Sequence, residues 1–157
     1  MGDTQVIGQP DISAYDSDGQ LTLVAEVKNK LCTNRQWAAR VRQNLLEHEW
    51  LPSARFFLLA LPDRFYLWRD VPKNSGAVDP TYEFDPAPLL KPYYDPMRSG
   101  AHRPSSVAFE LMILFVLSQF VYTGDEPGRN GCTVKALADS GLPDALRGGR
   151  VEPGSDE

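Results

Sequence analysis

The sequence predicts an α+β (mixed α/β) fold, a central mixed β-sheet flanked by helices. Two patterns in the first half carry this: short apolar runs that alternate with period two, and one segment with period 3.6. A third lies in the second half. The nearly uncharged run 107–122 is too apolar to stay in water and must cover a sheet face.

Gln5–Ile7 reads as a short strand and Ile12–Tyr15 as a second. Asp16-Ser17-Asp18-Gly19 is a turn, because Asp-Gly supplies the positive φ of a tight hairpin. Leu21–Lys28 then alternates. Leu21, Leu23, Ala25 and Val27 share one face, and Thr22, Val24, Glu26 and Lys28 share the other. Thr33 or Asn34 caps a helix whose core stripe is Trp37, Ala38, Val41 and Leu45. Gln36, Arg40, Gln43 and Glu47 fall on another face, and Pro52 stops the helix. The continuous apolar run 54–61 is a central strand covered on both sides, and 65–70 is a further strand antiparallel to it.

Prolines at seven positions over 71–104 speak against regular structure there. Tyr82, Phe84, Tyr93 and Tyr94 suggest a crossover laid over the domain surface. Ser105 or Ser106 caps the apolar helix 106–122. Beyond Gly124 the chain turns polar, with one weak helical piece at 133–139 and an acidic end expected to fray. The expected organisation is one domain over 1–124 (core 5–70, crossover 71–104, helix 106–122). A polar, partly flexible extension follows over 125–157.

A chain of 157 residues buries a real core without disulfides. Its net charge of −5 excludes a generally basic nucleic-acid coat but leaves room for a local basic groove. Cys32 and Cys132 stand in unrelated contexts without redox or metal spacing, as expected of a reducing, cytoplasmic setting. The first residues show no basic or apolar signal region. The apolar run holds Glu110, Ser118 and Gln119 and falls short of a membrane span, so no membrane partner is expected.

The chemistry-bearing constellation is Pro10-Asp11 followed across the hairpin by Glu26-Val27-Lys28. A hairpin sets the start of one strand beside the end of the next, so Asp11 and Glu26 become neighbours. From the residues alone this is either an ordinary strand end surfacing into water or a metal site. Two adjacent carboxylates repel, and a divalent cation relieves the repulsion. Hard oxygen ligands suit Mg²⁺ or Mn²⁺, which keep several waters and take one or two carboxylates. Such a cation makes a nearby water more acidic, and Lys28 on the same face can stabilise developing negative charge.

This pattern resembles the PD-(D/E)xK nuclease superfamily, the fold of restriction endonucleases and Holliday-junction resolvases. The resemblance spans about Gln5 to Asp70. It implies that Asp11 and Glu26 hold the metal with the Val27 carbonyl, and that Lys28 assists catalysis. Gln36 and Arg40 stand where many members carry a Gln-x-x-x-Arg helix motif facing the site. Members usually begin with a helix before the Pro-Asp hairpin, often supplying a further Glu. Only nine residues precede Pro10, so the usual first helix is missing or replaced by the helix at 106–122. Glu110 is then either a stand-in for the missing Glu or an exposed first-turn acid favoured by the helix dipole.

Lys28, Lys30, Arg35, Arg40 and Arg42 fall in the acid-free stretch 27–46, a local positive patch suited to phosphate contact, and Arg103 extends it from the crossover. The expected function is a Mg²⁺- or Mn²⁺-dependent nuclease acting on DNA, with RNA as the other substrate class. A homodimer through the 106–122 helix would supply the second cut of a duplex. The alternatives are a catalytically inactive nucleic-acid- or protein-binding module on the same fold, and a small oligomerisation domain.

Overall fold

The computed structural model describes residues 10–48, 51–52, 54–93, 104–123 and 135–154. Its elements run β1 (Ile12–Tyr15), β2 (Leu21–Val27), α1 (Arg35–His48), β3 (Phe56–Ala60), β4 (Phe65–Arg69), β5 (Tyr82–Phe84), α2 (Ala87–Leu90), α3 (Ser106–Thr123), α4 (Lys135–Ser140), α5 (Leu142–Leu146) and β6 (Arg150–Pro153). The six strands form one mixed sheet in the order β5-β4-β3-β2-β1-β6, which bears out the α+β class. Only β2 and β3 are parallel, and α1 makes the crossover between them. The strand expected at Gln5–Ile7 lies outside the described residues.

The β1–β2 turn is built as its residues require. Gly19 sits at φ +82°, and Asp16 Oδ1 accepts from the Asp18 and Gln20 amides. A bulge follows, since Ala14 pairs with Leu23 while Tyr15 pairs with Leu21. The extra residue turns Leu21 out of the face expected for it and toward the α1 side.

Two apolar layers follow from the alternation. On one face Val24, Phe57, Leu59, Tyr66 and Trp68 pack under α1 through Ala38 and Leu46. On the other, Ile12, Leu23, Ala25, Phe56, Leu58 and Leu67 pack under α2–α5. The largest share of that second cover is α3. Phe109, Ile113, Val116, Leu117 and Phe120 are buried, each stabilising by roughly 1.5–3 kcal/mol relative to exposure. Ser105 caps α3, its Oγ accepting the Ala108 amide. At 18 residues α3 is about 27 Å long. No described helix is long and apolar enough to cross a membrane. Its outer face carries Val107, Leu111, Phe115 and Tyr122, all exposed.

Three departures from expectation have physical reasons. The proline-rich stretch holds β5 and the one-turn α2, whose Pro86-Ala87-Pro88 start is compatible with proline because first-turn amides need no helical partner. Phe84 and Leu90 are buried, so this segment belongs to the core as well as covering it. The α1 stripe is rotated by about a residue: Ala38, Ala39, Arg42 and Leu46 are buried, with Trp37, Val41 and Leu45 only partly so.

The third concerns the polar extension, which is an integral part of the domain. Leu137, Leu142 and Leu146 enter the core, and β6 pairs antiparallel with β1. Glycine makes this approach possible. A Cβ on Gly149 would overlap the Tyr15 carbonyl oxygen, and one on Gly154 would overlap that of Pro10. Gly149→Ala is therefore expected to lose about 2 kcal/mol or more in urea unfolding as β6 is pushed from β1. An unchanged midpoint would show that β6 contributes nothing to the sheet.

Candidate active site

Asp11 precedes β1 and Glu26 is the penultimate residue of β2. The hairpin register, Ile12 opposite Ala25, brings them side by side. Two reciprocal hydrogen bonds fix the pair. The Asp11 amide donates to Glu26 Oε2 at 2.9 Å, and the Val27 amide donates to Asp11 Oδ2 at 2.8 Å. Each acid thus fills a ladder position beyond the last paired residues. Glu26 is 7% exposed and Asp11 half-buried. A third bond holds the same residue from the far side, since the Gly154 amide donates to the Asp11 carbonyl at 2.7 Å.

Alternation puts Glu26 on the face of Val24, the α1 side, and Lys28 follows on that face. The Lys28 amide donates to the Ala60 carbonyl at 3.0 Å, so the parallel ladder persists to this point. Asp11, Glu26 and Lys28 therefore share one end of the sheet, beside the carboxyl ends of the parallel pair. Open α/β sheets bind ligands in such places. The Val27 carbonyl belongs to the same strand end.

The loop from Asn29 to Asn34 is tied down at several points. Asn29 Nδ2 donates to the Pro104 carbonyl at 3.0 Å, joining β2 to the start of α3. The Cys32 amide donates to Asp63 Oδ2 at 3.2 Å, and Thr33 Oγ1 bonds the Tyr66 hydroxyl at 2.8 Å. Burial pushes the Tyr66 phenol above its ordinary value, and the Thr33 bond opposes this. Asn34 is the α1 cap, its Oδ1 accepting the Trp37 amide at 2.8 Å.

The other expected site residues divide. Lys30 is exposed, with its ammonium 5.7 Å from the Trp37 ring centroid. Arg35 is exposed and pairs with Glu83. Gln36 and Arg40 are exposed on α1, off the stripe that faces the sheet. Arg103 lies outside the described residues. Arg42 is a correction. It is 2% exposed and lies 5.8 and 5.7 Å from the Phe57 and Trp68 ring centroids. Its Nη2 donates to the Val71 and Pro72 carbonyls, and Nε and Nη1 have no partner among the described residues. Burial lowers its pKa. The α1 stripe that brings Ala38 and Leu46 to the sheet brings Arg42 too, so its charge serves packing and is withdrawn from any phosphate.

Glu110 is a second correction. It lies on α3, which covers the sheet face opposite the one Glu26 occupies. Among the described residues no three His, Cys, Asp or Glu converge to hold a metal ion, so Glu110 does not complete a triad with Asp11 and Glu26. What remains fits a cation that needs little from the protein. Two carboxylates and a neighbouring carbonyl suit an ion that keeps several waters. The Val27 amide occupies Asp11 Oδ2, and a carboxylate can also accept through its other oxygen.

The chain matches no protein family, no curated protein and no solved structure with which it was compared.

Asp11→Asn keeps an oxygen for the Val27 amide, whereas Asp11→Ala removes it. Asn is expected to hold stability within about 0.5 kcal/mol and Ala to lose about 1–2 kcal/mol in urea unfolding. Equal losses in both variants would show that the reciprocal bond does not fix the hairpin.

Proposed function

We propose that the protein is a metal-dependent nuclease that hydrolyses phosphodiester bonds of DNA at Asp11, Glu26 and Lys28. The observation that carries this reading is the reciprocal bonding that sets two carboxylates side by side, with a lysine next on the same strand face. Order supports it as well: hairpin, acid pair, lysine, crossover helix and parallel strand follow one another as the PD-(D/E)xK resemblance requires.

Asp11 and Glu26, with the Val27 carbonyl, would hold Mg²⁺ or Mn²⁺. When bound, such an ion acidifies water and offsets charge on a phosphate. The protein's own part is to fix the two carboxylates before any ion arrives, through amide bonds that hold both at the strand end. Lys28 offers a mobile ammonium with three donors, suited to a phosphate oxygen that gains charge as the bond breaks. Exposed Lys30 and Arg40 add positive charge on the neighbouring loop and helix, suited to backbone contact. Cys32 is a free, exposed thiol, in keeping with work in a reducing cytoplasm.

A second reading is a non-catalytic nucleic-acid-binding module on the same fold. Gln36 and Arg40 point to it, since both sit off the sheet-facing stripe of α1.

Plasmid and single-stranded DNA incubated with Mg²⁺ or Mn²⁺ separate the two. Cleavage by the native chain, reduced at least 100-fold in Lys28→Ala, is the expected outcome, in the range typical of loss of one charge-stabilising group. DNA retention without cleavage under either metal would favour the binding module.

A further inference from the structure

The sheet register ties the acid pair to a second charged cluster. Glu26 is opposite Leu59, Leu59 opposite Tyr66, and Tyr66 opposite Glu83. One straight row therefore crosses four strands on the α1 side, with the acid pair at one end and Glu83 at the other. Three strand spacings of about 4.8 Å put Glu83 roughly 14 Å from Glu26. The loop that carries Lys30 spans the same interval, pinned to Asp63 and Tyr66 on its way to α1.

At the far end Glu83 stands between two arginines. Arg35 Nε, at the start of α1, is 3.5 Å from Glu83 Oε1. Arg64 Nε, in the β3–β4 turn, is 3.6 Å from Glu83 Oε2. Two cations share one anion, and Asp63, beside Arg64 and bonded to the Cys32 amide, is the other acid of the cluster. Both contacts, made from Nε, are longer than a strong N–H···O bond. The guanidinium forks are built for bidentate grip on a phosphate. The side chains are 55%, 41% and 29% exposed for Arg35, Arg64 and Glu83, and exposed pairs of this kind hold weakly. A phosphate can therefore take the place of the glutamate.

We infer that Arg35 and Arg64 form a phosphate clamp for a DNA strand whose scissile phosphate lies at Asp11 and Glu26, with Glu83 as the built-in counter-ion that the strand displaces. The clamp rests on the nuclease reading for its orientation. Its span of roughly 14 Å is a few nucleotides of one strand at most, because successive phosphates lie farther apart along the backbone than the roughly 3.4 Å rise of the duplex axis. Lys30 lies between the two ends and follows the same strand. Glu83 holds the two arginines poised when no DNA is bound, and it lowers affinity for short or weakly held strands.

Equilibrium binding without divalent metal tests the clamp apart from catalysis. The probes are a fluorescein-labelled 20-nucleotide DNA strand and its duplex, followed by anisotropy in EDTA from about 50 to 200 mM salt. Arg35→Ala and Arg64→Ala are each expected to weaken binding at least about threefold and to lower the salt slope by about one. Arg64→Lys should keep the slope, and Glu83→Gln should tighten binding at least about threefold. The Glu83→Gln gain should vanish when both arginines are alanine. Unchanged slopes in both alanine variants, a Glu83→Gln protein that binds no better, or no binding by the native chain would each overturn the clamp. Thermal unfolding of each variant confirms that it is folded. If slopes shift as expected but no metal yields cleavage, the clamp stands and the nuclease reading falls. If DNA is cut and the slopes do not move, the reverse holds.

Discussion

The site depends on one constraint, the crossed pair of hydrogen bonds between Asp11 and the end of β2. Two carboxylates at neighbouring ladder positions repel and would splay the hairpin mouth. Here each is held by an amide of the opposite strand, and the Gly154 amide closes on the Asp11 carbonyl from the third strand. Asp11 is thus gripped through its amide, its side chain and its carbonyl. The last of these grips comes from a segment far along the chain. The strand β6 is therefore a brace for the acid pair, and the glycines that let it approach β1 hold Asp11 in place at one remove.

Much of this was legible in the sequence, because it rests on local pattern. Period-two alternation and an Asp-Gly turn fix the hairpin, and the hairpin alone brings Asp11 to Glu26. Asn34 and Ser105 cap helices as their types predict. What was not legible depends on tertiary contact. Nothing local says that Arg42 is taken into the core, since a charged residue between Val41 and Gln43 reads as solvent-facing. Its burial follows from the exact rotation of α1, set by Phe57 and Trp68 on strands far off in sequence. Likewise β6 has one partly buried apolar residue, Val151, too little pattern for a four-residue strand to announce itself. Edge pairing with β1 and the missing Cβ atoms of Gly149 and Gly154 make it a strand.

The charges sort by burial. Arg42 packs over the Phe57 and Trp68 rings and holds the loop at Val71 and Pro72. Lys28, Lys30, Arg35 and Arg40 stay at or near the surface. Of the basic stretch in an otherwise acidic chain, one member has been given to stability and four remain outside. Arg35, with Arg64, pairs with Glu83 on the strand row that begins at Glu26. Glu110, by contrast, belongs to the helix under the opposite face, and its sequence promise as a third acid fails for that geometric reason.

The central claim is that the crossed carboxylates are a divalent-cation site. Calorimetric titration of the native chain with Mn²⁺, beside Asp11→Asn, addresses it most directly. The account predicts about one ion bound per chain and at least a tenfold loss of affinity in the variant, of the size seen when ligand shells are disturbed. No heat of binding up to about 10 mM Mn²⁺, a concentration above the weakest range of protein carboxylate sites, would contradict it. So would equal affinity in the two proteins.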